Sequence, residues 1–144
     1  MQWVQDFAKE NKQLNSAEIG NRFYKHERLC SRKQIDLLFV KNTGAAAFPL
    51  KAVFMETHES LHTPLQVMFV VPKRNFKHAH DRNKLKRRMR EAYRLNKQAA
   101  YEVLEPSGKK IIIAFIYTAK QEQLYTEVES AITKLLGLIV KKVR

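Results

Sequence analysis

Cysteine is almost absent from this chain. A single Cys30 among 144 residues rules out an intramolecular disulfide framework and a cysteine-rich zinc site. Set between Leu29 and Ser31, it reads as a small, partly buried hydrophobe. Long apolar runs are missing as well: none approaches the roughly 18 to 20 residues needed to span a bilayer. The first residues carry Asp6 and Glu10 where a signal peptide would have an apolar block, so the expected location is the cytoplasm. Acid is scarce, with fourteen Asp and Glu against twenty-seven Lys and Arg, a formal charge of +13. That balance implies a polyanionic partner without deciding among RNA, DNA and an anionic membrane surface. The few acids also fail to cluster as a two-metal phosphodiesterase requires. Glu56 and Glu59 share a polar loop, Asp81 reads as a helix N-cap, and Glu91 is surrounded by bases. The isolated chain is therefore expected to cleave nothing.

What is present is enough apolar residue, 44% of the chain, to build one domain with a real core. The organising stretch is Arg82-Asn83-Lys84-Leu85-Lys86-Arg87-Arg88-Met89-Arg90-Glu91-Ala92-Tyr93-Arg94, in which seven of thirteen side chains are basic. No Pro or Gly interrupts it, and the spacing predicts a helix running from Asp81 to just before Pro106. At 100° per residue, Leu85, Met89, Ala92, Ala99 and Val103 gather on an apolar stripe. Asn83, Lys86, Arg87, Arg90, Arg94 and Lys97 oppose it, with Arg82, Lys84 and Arg88 at its flanks. One face can pack while the other carries a positive ridge that repels itself unless phosphates neutralise it. Ordinary solvent-facing helices mix signs, and this one barely does.

Residues 1–21 read as an extension in which Trp3, Phe7 and Leu14 suggest a short helix, and 22–144 as a single RNA-binding domain. Phe23-Tyr24-Lys25-His26 interleaves rings with bases, which suits stacking on unpaired nucleotides or anchoring of the N-terminal segment. Ser31 and Gln34 have capping-box spacing ahead of a short helix carrying Ile35, Leu38 and Phe39. Residues 45–55 read as one or two strands, with Pro49 at an edge or junction. His58 and His62 belong to a surface loop rather than a metal site. Leu65–Val71 is a strand ended by Pro72, and Ile111–Tyr117 a strand fit for the sheet centre. Leu124, Val128, Ala131, Ile132, Leu135, Leu136 and Ile139 trace a last amphipathic helix. The sum is an α/β (α+β) two-layer sandwich in the order α-β-β-β-α-β-α, helices against a mostly four-stranded sheet.

The residues Val70-Val71-Pro72-Lys73-Arg74, followed after a loop by Arg82-Asn83-Lys84-Leu85-Lys86-Arg87-Arg88-Met89-Arg90, resemble the bacterial ribonuclease P protein family. That family has a strand ending in paired bases, then a helix of the form Arg-Asn-x-x-Lys-Arg-x-x-Arg. Arg28-Leu29, Ile35, Leu38-Phe39 and the Ile111–Phe115 strand extend the resemblance over about Arg22 to Val140. It implies an unusual left-handed crossover through the basic helix, a handedness that physics makes rare. It also implies a catalytic RNA partner, the 5′ leader of precursor tRNA as ligand, and Mg²⁺ held mainly by that RNA. The protein is expected to be a monomer, one per catalytic RNA, acting as the accessory subunit of a ribonucleoprotein endonuclease.

Carried over by position, Arg82, Asn83, Lys86, Arg87 and Arg90 match residues that lie against the catalytic RNA. Lys84, Arg94, Lys73 and Arg74 join them as RNA-binding candidates, and Ile35, Phe39, Phe54 and Lys86 are candidates for the leader cleft. This chain departs from the family pattern at Lys84, which lacks the planar fork of an arginine, and at Ile35, where an aromatic is usual. Its 75–81 loop is one residue longer and has no glycine. His78 and His80 in that loop make a weak catalytic signal. A ribosomal or RNA-chaperone protein would use the same helix as a staple without affecting precursor-tRNA cleavage. A DNA regulator would need base-reading side chains in place of an all-basic ridge.

Overall fold

Ile111-Ile112-Ile113-Ala114-Phe115 is apolar at every position, as a strand covered on both faces must be. In the computed structural model, which describes residues 22–41, 43–58 and 63–143, it is the heart of an inner strand. The strands are β1 Gly44–Ala47, β2 Leu50–Thr57, β3 Leu65–Val70 and β4 Lys110–Tyr117, in the order β1-β2-β4-β3. β2 runs antiparallel to both β1 and β4, while β3 is parallel to β4. Pro49 sits in the β1–β2 turn, the junction expected of it, after a cis Phe48–Pro49 bond. The suggested helix around Trp3, Phe7 and Leu14, and the loop positions Glu59 and His62, lie outside the described residues.

Period-two alternation divides β4 between two cores. Ile111, Ile113, Phe115 and Tyr117 join Leu50, Ala52, Phe54, Leu65 and Val67 in the larger. Helices α2 (Ala79–Asn96), α3 (Gln98–Ser107) and α4 (Tyr125–Val143) supply Leu85, Met89, Tyr93, Leu104, Leu135 and Ile139 to it. Ile112 and Ala114 face the other way with Val53, where Leu38 of α1 (Arg32–Lys41) covers them. The expected sheet-and-helix layering is present, with α1 the one helix on the second face among the described residues. Leu85 and Met89 are 1% and 0% exposed, so truncating either to alanine would cost about 2–5 kcal/mol. α4 begins one residue after Leu124, which is 70% exposed and does not belong to its apolar stripe.

The single long helix expected to run to Pro106 is two helices that meet at Lys97. The Asn96 side chain donates to the Ala92 carbonyl at 2.8 Å, taking an acceptor of the helical ladder, and such insertions bend helices. Lys97 itself leaves the basic ridge assigned to it and turns inward, 2% exposed, to Glu27, also 2% exposed. Its Nζ donates to both Glu27 oxygens at 2.6 and 2.8 Å and to the Arg22 carbonyl. Tyr101 donates to the same carboxylate at 2.8 Å. The break changes the helical phase, so Ala100 and Leu104 are buried in place of Ala99 and Val103. Pro106 falls in the last turn of α3, and the helix stops at Gly108 with φ 73°, the left-handed conformation that suits glycine.

The segment before α1 is anchored by its rings. Phe23 packs edge-on against Phe69 and Tyr93 at 5.9 and 5.7 Å. Beyond a 3₁₀ turn at Lys25–Glu27, Arg28 bridges in parallel to Val67 and the Leu29 N–H donates to the Val67 carbonyl at 2.9 Å. The outer edge of β3 is thereby covered. Of the two readings open for Phe23-Tyr24-Lys25-His26, anchoring is what the packing displays.

Candidate nucleic-acid interface

α2 starts at Ala79 with His78 at its cap position, so Asp81 is not the N-cap but stands in the first turn, where a carboxylate favours the positive end of the helix dipole. Leu85, Met89, Ala92 and Tyr93 face inward, fixing the opposite side outward. The seven bases of the organising stretch then separate by partner. Arg82 donates to the Phe76 and Lys77 carbonyls at 2.7 and 2.9 Å, and so holds the loop that enters the helix. Lys84 and Arg88 both reach Glu122, at 3.0 and 2.8 Å, and Arg88 also donates to the Gln123 carbonyl. Arg94 makes a two-pronged pair with Glu91 at 2.5 and 3.1 Å. These contacts hold Glu91 and Glu122 below the usual carboxylate range, each first through its hydrogen bond, to Arg94 and Lys84 respectively.

Lys86, Arg87 and Arg90 are different. Among the described residues no carboxylate lies within ion-pair distance of any of them. With Asn83 they recur at i, i+3, i+4 and i+7 on one outward face, Asn83, Arg87 and Arg90 exposed and Lys86 half-buried. Three cations without counter-charge, Arg90 lying about one turn beyond Lys86 and Arg87, are suited to a row of phosphates, and Asn83 adds both donor and acceptor.

The leader-cleft candidates do not converge. Ile35 is half-buried and Phe39 is 40% exposed on α1, on the smaller-core side of the sheet. Phe54 lies on the opposite side, 3% exposed in the larger core, with the Lys142 ammonium 5.9 Å above its ring. It cannot share a surface with Ile35: strand parity sends residue 54 one way and residues 53 and 55 the other. Lys86 belongs to α2, which also packs on the larger-core side. The side chains beside α1 that remain partly open are Met55, Met68 and Ile116, with exposed Lys51 in register with Ile116. Sequence reasoning missed them, although the same alternation that buries Phe54 identifies them once the covered face is known.

Arg28 and Arg90 were not paired by any sequence spacing. They share the lining of a hollow of about 190 Å³ at the β3 edge with Phe23, Cys30 and Met68. Cys30 is exposed, against the expectation of partial burial. Lys73 and Arg74 are exposed where β3 ends, as expected, and Arg74 lines a second hollow with Asn75, Thr118 and Lys120. Among the described residues no three His, Cys, Asp or Glu side chains come together to hold a metal ion. His78 and His80 are exposed and His58 stands apart in its loop. Among the described residues no helix is long and apolar enough to cross a membrane.

Comparison with known proteins places this arrangement. The family model described as Ribonuclease P matches residues 23–139. The ribonuclease P protein component of Porphyromonas gingivalis is 33% identical over 112 residues, 78% of this chain and 82% of the relative. That of Chlorobium phaeobacteroides is 37% identical over 105 residues, 67% of this chain and 72% of the relative. Among solved structures, the RNase P protein of Staphylococcus aureus superposes with a TM-score of 0.62 at 16% identity, covering 78% of this chain and 94% of that one. The Thermotoga maritima protein gives 0.53 at 24% identity, covering 82% and 98%. Both share the fold. With the family model spanning the sheet, the crossover and the basic helix together, the chain belongs to the ribonuclease P protein-component family.

Proposed function

We propose that this chain is the protein subunit of ribonuclease P and that the open face of α2 lies against the catalytic RNA. The observation that carries this reading is the unneutralised row Asn83, Lys86, Arg87 and Arg90 on a rigidly packed helix. Its neighbours Lys84, Arg88 and Arg94 are spent on Glu122 and Glu91. Backbone contacts of this kind position an RNA without reading its sequence. The single-stranded 5′ leader of precursor tRNA takes the sheet face beside α1, with Ile35, Phe39, Met55 and Ile116 as apolar floor and Lys51 for a phosphate. Shape and charge then outweigh base identity.

The reaction is hydrolysis of one phosphodiester, leaving a 5′ phosphate on the mature tRNA. Membership of the family assigns Mg²⁺ to the RNA, and the chemical step with it. The chain's contribution is to neutralise, to orient and to hold the leader near a site built by its partner. One protein serves one catalytic RNA, in the cytoplasm.

Single-turnover cleavage of 5′-labelled precursor tRNA at low Mg²⁺, with the RNA subunit of the same organism, tests this. Acceleration at the mature 5′ end on adding the protein, with a silent protein-only control, is the expected result. No effect on a competent RNA would leave a structural RNA-binding protein as the better description.

A further inference from the structure

One exposed aromatic on this chain stands apart from both surfaces just assigned. Phe48, at the tip of the β1–β2 turn, is 70% exposed, and among the described residues no ring packs against it. Its neighbour Pro49 is buried, and the Pro49 carbonyl accepts from the Thr118 N–H and hydroxyl at 2.9 and 3.0 Å. The turn is thus tied to the end of β4. Thr118 in turn walls an open hollow of about 530 Å³ with Arg74, Asn75 and Lys120. Because β3 and β4 are parallel and β2 begins opposite the end of β4, three chain segments bring these groups to one end of the sheet. Among the described residues Phe39 and Phe48 are the exposed phenylalanine rings, and Phe48 stands at the same end of the sheet as Arg74 and Lys120, a combination that suits single-stranded nucleic acid. A ring takes the face of an unpaired base while guanidinium and ammonium groups take its phosphates.

We propose that Phe48, with Arg74, Thr118 and Lys120, forms a second single-stranded RNA contact in which the ring stacks on a base and the two cations hold flanking phosphates. The site deepens the reading above. The last row of the face beside α1, Val70, Ile116 and Lys51 in register, lies two residues from Thr118 and three from Phe48 along the chain. A strand leaving that face toward this sheet end meets Phe48.

The probe is a fluorescein-labelled oligouridylate of about twelve nucleotides, titrated by anisotropy with the full chain at several salt concentrations. Phe48→Ala is expected to weaken binding about five-fold or more, since stacking on one ring carries that much, while Phe48→Trp retains it and Phe48→Leu behaves like alanine. Lys120→Ala should flatten the salt slope by about 0.7. A duplex RNA of equal length should not distinguish Phe48→Ala from the native chain. Phe48 is largely exposed, and thermal unfolding of these variants serves as the control for folding. Native affinity in Phe48→Ala, or in Phe48→Leu, overturns the proposal. If that happens while the protein still accelerates precursor-tRNA cleavage, only this site falls. If oligouridylate binding depends on Phe48 but cleavage is never accelerated, the ribonuclease P reading falls and the site stands.

Discussion

Glu122 takes two cations of α2 out of the reach of a partner, and its removal should hand them back. Glu122→Gln is expected to tighten binding to the catalytic RNA and steepen its salt dependence, because Lys84 and Arg88 become available to phosphates. Filter binding across a salt series checks it; unchanged affinity and slope would mean that the pairs already open on binding. Arg87→Ala and Arg90→Ala should each weaken the same association and flatten the slope by about one unit. Lys84→Ala should weaken it less than Arg87→Ala does, since Lys84 is already occupied. The buried phenols give a test that needs no RNA. Burial raises Tyr93 and Tyr101 above the usual phenol range, with further upward pressure from Glu27. Their stabilisation is fully present below about pH 10, the unfolded value, and is lost above it as the unfolded chain releases protons that the folded chain keeps. Lys97, lowered mainly by burial, works in the opposite direction below its own unfolded value. Phenolate absorbance should show Tyr93 and Tyr101 ionising only as the protein unfolds; their free titration in the native state would contradict the burial.

At the scale of elements, the junction between α2 and α3 is held by charge taken out of water. Breaking a buried pair by removing one partner typically costs about 3–5 kcal/mol, whereas replacing both by apolar groups is often neutral. Lys97→Ala is therefore expected to lower unfolding stability by an amount of that order in urea, and Glu27→Leu with Lys97→Met to recover much of it. A double variant no better than the single one would show that Tyr101 and the Arg22 carbonyl also depend on the pair. This junction marks where the sequence was hardest to read. α2, β4 and α4 were legible because their apolar periodicities run long and unbroken. The break at Lys97 was not, since neither Pro nor Gly announces it. It follows from an Asn96 side chain and a carboxylate seventy residues upstream. Phe54 was assigned to the cleft because alternation reveals two faces of a strand without saying which helix covers which. The charged row of α2 could be read in full, but which of its members were already paired depended on Glu122 arriving from a distant loop.

For the whole molecule, a charge of +13 is spread so that acid neutralises the inner flank of α2 and leaves its outer face open. Both sheet edges are short or covered, β1 by its four residues and β3 by the Arg28 bridge, which disfavours strand-to-strand association. The Glu27–Lys97 pair has one more consequence. It joins the segment around Arg22 to the helix junction, and the same segment runs on to the Leu29–Val67 bond at the sheet edge. These three regions therefore open as one cooperative unit rather than separately. In hydrogen exchange the Leu29 amide becomes a remote gauge of the helix junction: Lys97→Ala should speed its exchange while the amides of inner β4 keep their protection.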